Sequence, residues 1–114
     1  MVCDDLIFTS KVTATARAVG ATVTPVRSAG AAVAAAKQSA PACVLVDLHN
    51  PGLDLPAFLA DLREACPTMP RVIGYGSHVD VAALKAARAA GCDRVLPRSQ
   101  FVAELEAKLE EWLR

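Results

Sequence analysis

Short apolar runs alternate along this chain with stretches whose apolar positions recur every three or four residues. The first run, Leu6-Ile7-Phe8-Thr9, predicts a strand. Ser10 then caps a short helix that carries Val12, Ala16 and Val19 on one face and closes at Gly20. The second run, Thr22 to Val26, contains Pro25. Proline cannot donate to a strand ladder, so this strand belongs at a sheet edge. Ser28 caps an alanine-rich helix from Ala29 to Gln38. The third run, Cys43-Val44-Leu45-Val46, lacks polar alternation, as does a strand covered on both faces. It ends at Asp47, ahead of the turn signal Asn50-Pro51-Gly52. A helix beginning near Pro56 carries the stripe Leu55, Phe58, Leu59, Leu62, and Pro67 and Pro70 end it. The fourth run is Val72-Ile73-Gly74-Tyr75, followed by a helix capped by Asp80 and closed by Gly91. The fifth is Arg94-Val95-Leu96, after which Ser99 caps a last helix with Val102, Leu105, Leu109, Trp112 and Leu113 on one side.

The order is therefore (βα)5, with connections too short for a second domain, so residues 1–114 form one α/β domain. Such alternation implies a doubly wound parallel sheet with helices on both faces. For five strands the common flavodoxin-like order is 2-1-3-4-5, which puts the proline-containing second strand at an edge.

Composition narrows the function classes. The chain is 54% hydrophobic and 21% charged, which excludes a disordered reading. Lys+Arg and Asp+Glu are both 12, so no basic excess points to nucleic acid or to an anionic membrane surface. No apolar stretch approaches the ~20 residues of a membrane span, and the N-terminus is not a signal peptide. The cysteines Cys3, Cys43, Cys66 and Cys92 have no CxxC spacing, and reduced thiols fit a cytoplasmic location. Zero net charge gives little colloidal repulsion and leaves a homodimer open.

In an open parallel sheet, ligands bind beyond the carboxyl ends of the strands at the switch point, here between the first and third. The pattern delivers Ser10 and Lys11 there after the first strand, and Asp47 and His49 after the third. Gly76, Ser77 and His78 follow the fourth, and Pro97, Arg98 and Ser99 the fifth. Asp47 is either a nucleophilic carboxylate or cation ligand, or a turn-capping residue that accepts backbone amides. Asp47, His49 and His78 could converge on a transition metal, which would make the chain a small metallo- or phosphate-handling enzyme. Against that, both histidines lie in turn-rich segments. No dinucleotide or phosphate-loop glycine motif is present, and no nucleophile elbow.

The segment Val44-Leu45-Val46-Asp47-Leu48-His49-Asn50-Pro51-Gly52 resembles the third strand, phosphoacceptor aspartate and following turn of the response-regulator receiver family. Ala89-Ala90-Gly91-Cys92-Asp93-Arg94-Val95-Leu96 is similar to that family's turn into its fifth strand. The resemblance spans the chain and implies a CheY-like signalling domain, not an enzyme, with Asp47 at the phosphoacceptor position.

The departures shape the expectation further. Receivers carry two acidic residues at the end of the first strand that bind magnesium, and here Ser10 and Lys11 take that place. Asp4 and Asp5 precede the predicted strand, which puts them at its opposite end. Gly76 stands where the family has a hydroxyl residue, with Ser77 beside it. Arg98 stands for the family's lysine, and Val95 for its aromatic switch residue. Phosphoryl transfer depends heavily on the metal's charge stabilisation. The implied function is a stand-alone pseudo-receiver that works by protein–protein contact, with Lys11 neutralising Asp47 and no cofactor. The alternative is a working phosphorelay receiver with an atypical metal site.

Overall fold

The computed structural model describes all residues, Met1–Arg114. It is an α/β fold with five helices around a parallel sheet. The elements are α1 (Leu6–Ala18), α2 (Ala29–Gln38), β1 (Cys43–Asp47), α3 (Leu55–Ala65), β2 (Arg71–Gly76), α4 (Val81–Ala90), β3 (Arg94–Pro97) and α5 (Arg98–Trp112). The sheet has three strands in the order β1-β2-β3, where the apolar pattern predicts five. Val46 pairs with Gly74, and Gly74 in turn with Val95.

The largest correction lies at the amino end. Leu6–Thr9 is the first turn of α1, not a strand. Asp5 is its cap: Oδ1 accepts the amides of Ile7 at 3.0 Å and Phe8 at 3.1 Å. Helical spacing then buries Phe8, Val12 and Ala16 and leaves Leu6 and Ile7 exposed. Ser10 is thus an exposed position inside the helix and caps nothing. A four-residue apolar run is too short for its period to separate strand from helix.

The extended segment is instead Met1–Cys3. Val2 forms parallel bridges to both Val46 and Val26. Its amide donates to Leu45 O at 2.8 Å, and its carbonyl accepts from Asp47 N at 2.9 Å. On the other side, Cys3 N donates to Val26 O and Val26 N to Met1 O. Of the second predicted strand, Val26 forms the bridge and Thr24 O accepts from the Met1 amino group at 3.1 Å.

β1 alternates between two cores. Leu45 joins Ile73, Tyr75 and Leu96 under α1 and α5. Val44 and Val46 join Val2 and Val72 under α2 and α3. Leu84 and Ala87 of α4 pack on Val95. Ser28, Asp54 and Asp80 cap α2, α3 and α4 with their side chains. At α5 the predicted Ser99 cap gives way to Pro97, which offers no side-chain bond. Glu104 fastens α5 to β3, accepting from Arg94 Nε at 2.8 Å. Burial pushes its carboxyl up, but hydrogen bonds from Arg94 and Gln100 and the charges of Arg94 and Lys108 outweigh that and hold it below the usual range. No helix is long and apolar enough to cross a membrane.

The two strand assignments separate cleanly by substitution. Val2 is fully buried and Ile7 is 86% exposed. Val2→Asp buries an unpaired charge and should cost about 3 kcal/mol or more. Ile7→Asp adds an acid to an exposed first turn and should stay within about 0.5 kcal/mol. Urea midpoints of the two variants check this, and the reverse order would restore the strand at Leu6–Thr9.

Candidate functional site at the carboxyl edge of the sheet

Asp47 ends β1 and is buried, at 6% exposure. Its Oδ1 accepts the His49 amide at 2.9 Å, so the turn-capping role is real. Its Oδ2 is left for other partners. The Cys3 thiol donates to it at 3.7 Å, and Arg98 Nη2 lies 3.8 Å away.

Arg98 opens α5 directly after β3, which brings its guanidinium back over the sheet edge. The group stacks 4.6 Å from the centre of the Phe8 ring. Its Nη1 lies 3.9 Å from Asp5 Oδ2. One guanidinium thus links Asp5 to Asp47. Asp5 divides its oxygens, one for the α1 cap and one for Arg98.

Asp5 therefore belongs to the site and Asp4 reaches its edge through the backbone amide, which corrects their expected placement at the far end. They follow the extended Val2–Cys3 segment and not Leu6–Thr9, so the same residues reach the carboxyl edge. Asn50, itself buried, secures them: Oδ1 accepts the Asp4 amide at 2.8 Å while Nδ2 donates to Arg27 O at 2.9 Å. The cation beside Asp47 is Arg98 and not the expected Lys11. Lys11 is exposed on α1 and lines a neighbouring cleft without an ion pair to Asp47. Ser10 does not line that cleft.

The cleft is open, about 770 Å³, and includes Phe8, Lys11, His49, His78, Arg98 and Ser99. Ser77 also lines it, but its polar groups are engaged. Its amide donates to His49 Nε2 at 3.1 Å, and its hydroxyl accepts the Val79 amide at 3.3 Å. His49 Nδ1 lies 3.9 Å from Asp80 Oδ2. His49 thereby ties the turn after β1 to the loop after β2. No three His, Cys, Asp or Glu side chains converge on a common ion position, including Asp47, His49 and His78.

Sequence reasoning brought Asp47, His49, Gly76, Ser77 and Arg98 to this edge and missed Cys3, Asp5, Asn50 and Tyr75. The adjacent acids Asp4-Asp5 were the available signal. A two-residue buried segment before them was too short to read as a strand.

No protein-family model and no curated protein matches the sequence. Solved structures do match its shape. A candidate response regulator from Chloroflexus aurantiacus J-10-fl superposes with a TM-score of 0.83 at 21% identity, covering 98% of this chain and 93% of that one. The receiver domain of NtrX from Brucella abortus gives 0.82 at 22% identity, covering 98% and 94%. The receiver domain of the sensor histidine kinase PA1611 from Pseudomonas aeruginosa PAO1 gives 0.81 at 24% identity, covering 98% and 93%. That structure has a magnesium ion coordinated in its active-site cleft. The class defined by these likenesses is the response-regulator receiver fold, and this chain has it along nearly its whole length.

The glycine at the end of β2 has a steric cause. A Cβ on Gly76 would sit 3.0 Å from His49 Nε2, and its φ is not positive. Gly76→Ala should cost about 1–3 kcal/mol by overpacking. In a His49→Ala background most of that cost should vanish, a non-additivity that a double-mutant cycle measures. Strictly additive effects would mean that the imidazole does not dictate the glycine.

Proposed function

We propose that this chain is a receiver-type signalling domain that takes a phosphoryl group on Asp47. Asp5 is the acid that, with Asp47, would hold a divalent cation for the transfer, since Arg98 lies 3.9 Å from the one carboxylate and 3.8 Å from the other. The observation that carries this reading is the delivery of Asp4-Asp5 to the same sheet edge as Asp47, through main-chain bonds from Val2 and Cys3. The two bridges of Val2 support the finer five-strand order 2-1-3-4-5, with Met1–Cys3 as its first member and the segment at Val26 as its second.

No three acidic side chains converge here, so Asp5 and Asp47 would be the protein's share of the ligands and water the rest, an arrangement magnesium accepts. Magnesium is a hard cation that takes carboxylate oxygens. Such an ion supplies charge neutralisation at the transferring phosphoryl oxygens. The chain's own residues do the rest. The Asp47 turn fixes Oδ1 through the His49 amide and leaves Oδ2 free to attack phosphorus as the bond to the donor's leaving group breaks. Arg98 already faces that oxygen and can follow the new anion with a forked pair of donors. The domain accepts a group and does not turn over a substrate, and its partners in this reading are proteins.

A second reading, the pseudo-receiver that acts by contact alone, draws on one observation: Arg98 already lies between Asp5 and Asp47, where a cation would act. Intact-mass spectrometry after incubation with acetyl phosphate, with and without Mg²⁺, separates the two. We expect one phosphoryl adduct that requires Mg²⁺, is absent in Asp47→Asn and falls by about tenfold or more in Asp5→Asn. No adduct at millimolar donor would leave the contact module.

A further inference from the structure

Tyr75 stands one residue before Gly76 on β2, in register with Asp47 on one side and Leu96 on the other. Its side chain is fully buried on the face covered by α1 and α5. Its ring lies 5.1 Å from Phe8 and stacks on Phe101 at 4.4 Å and 20°. Phe101 in turn lies 6.1 Å from Trp112 at 17°. An unbroken aromatic column thus runs from the pocket wall to the end of α5.

The Tyr75 hydroxyl is buried and has no hydrogen-bond partner. Buried phenols ordinarily find one, because an unmade bond costs stability. The Cys3 thiol packs in the same core and acts on it together with the charges of Asp47 and Arg98, and no hydrogen bond joins phenol to thiol. That thiol directs its proton to Asp47 Oδ2 at 3.7 Å. A thiol is one weak donor and one weak acceptor, and its orientation toward the carboxylate decides what its lone pairs can offer the phenol. Burial pushes the phenol far above its ordinary range, so it keeps its proton at any working pH.

We propose that Tyr75 and Cys3 form a buried relay that reads whether Asp47 Oδ2 is free or occupied and passes that state into the aromatic column. When a phosphoryl group takes Oδ2, the thiol loses its acceptor and turns. Its sulfur then receives the Tyr75 hydroxyl, and the ring shifts against Phe8 and Phe101. No bond to carbon or sulfur forms or breaks. The relay rests on the reading of Asp47 as the acceptor. It provides a read-out in a chain that has Gly76 and Val95 where the family it resembles uses a hydroxyl and an aromatic ring.

Trp112 is the chain's one tryptophan and reports on the far end of the column. The test uses Mg²⁺ with beryllofluoride as the phosphoryl mimic, its binding followed by fluorine NMR and the column by Trp112 emission. The wild type should bind the mimic and change its emission. Tyr75→Phe, whose hydroxyl makes no bond to Asp47, should still bind it and lose most of that change, and Cys3→Ala, read at saturating mimic, should lose it as well. Tyr75→Phe should also melt at or above the wild-type temperature, because it deletes an unpaired hydroxyl. Binding with no emission change, an unaltered change in Tyr75→Phe, or a lowered melting temperature in Tyr75→Phe would each overturn the relay alone. Failure of the wild type to bind the mimic would remove the acceptor reading of Asp47, and the relay with it.

Discussion

Four main-chain hydrogen bonds hold Met1–Cys3 between β1 and Val26, two on each side. Everything at the carboxyl edge follows from that placement. The chain leaves the sheet at Asp4, and Asn50 grips the Asp4 amide from the turn that follows Asp47. Asp5 then has to start α1, and capping the helix fixes one of its oxygens while the other faces Arg98. Val2 fills the core under α2 and α3, and Cys3 fills the one under α1 and α5. The site is thus built by an extended segment with only two buried residues, Val2 and Cys3.

That brevity explains what could be read beforehand. β1, β2 and β3 coincide with the predicted runs to within a residue or so, because Cys43–Val46, Val72–Tyr75 and Arg94–Leu96 are bounded by clear turn signals. With those strands come Asp47, Gly76, Ser77 and Arg98, each a strand end or its neighbour. Leu6–Thr9 imitates a strand because Leu6 and Ile7 are apolar yet exposed, filling positions that a helical pattern normally leaves polar. Once those four residues are taken as the strand, Ser10 and Lys11 fall into the pocket and Asp4 and Asp5 fall out of it. A single misread element therefore inverts the apparent charge of the site. The capping function of Asp5 was the deciding physical term, and an acidic residue ahead of an apolar run serves equally as cap or as surface residue until the next turn is known.

The strength of the Arg98 contacts bears on how fixed the site is. Its side chain is 46% exposed and that of Asp5 is 45% exposed, with separations of 3.8 and 3.9 Å to the two carboxylates. Both contacts lie beyond hydrogen-bonding distance, and the exposed Arg98–Asp5 pair contributes about 0–1 kcal/mol. Such a link can orient the carboxylates without locking them. In the proposed reading a divalent cation at the two carboxylates would displace Arg98, and a phosphoryl anion on Asp47 would draw it back. Its stacking on Phe8 gives it a resting place that does not depend on either acid.

The substitutions around Asp47 then form a connected set. His49 reaches across to the Ser77 amide, and its ring crowds the place a Cβ would take at position 76. A side chain at the end of β2 would press on that imidazole and require it to move by a few tenths of an ångström, so the two positions are coupled. The loop after β2 is held instead by His49 and by the Ser77 hydroxyl on Val79. On β3, Val95 packs on Leu84 and Ala87 of α4, a position too small to span the sheet edge. The large aromatic near Asp47 is instead Tyr75, on the opposite face of the sheet and in contact with α5 through Phe101. The aromatic packing beside Asp47 thus leads toward α1 and α5 through Tyr75 and Phe101, whereas α4 meets the site through Leu84, packed near Leu48 and Gly76, and through the His49–Asp80 contact at 3.9 Å.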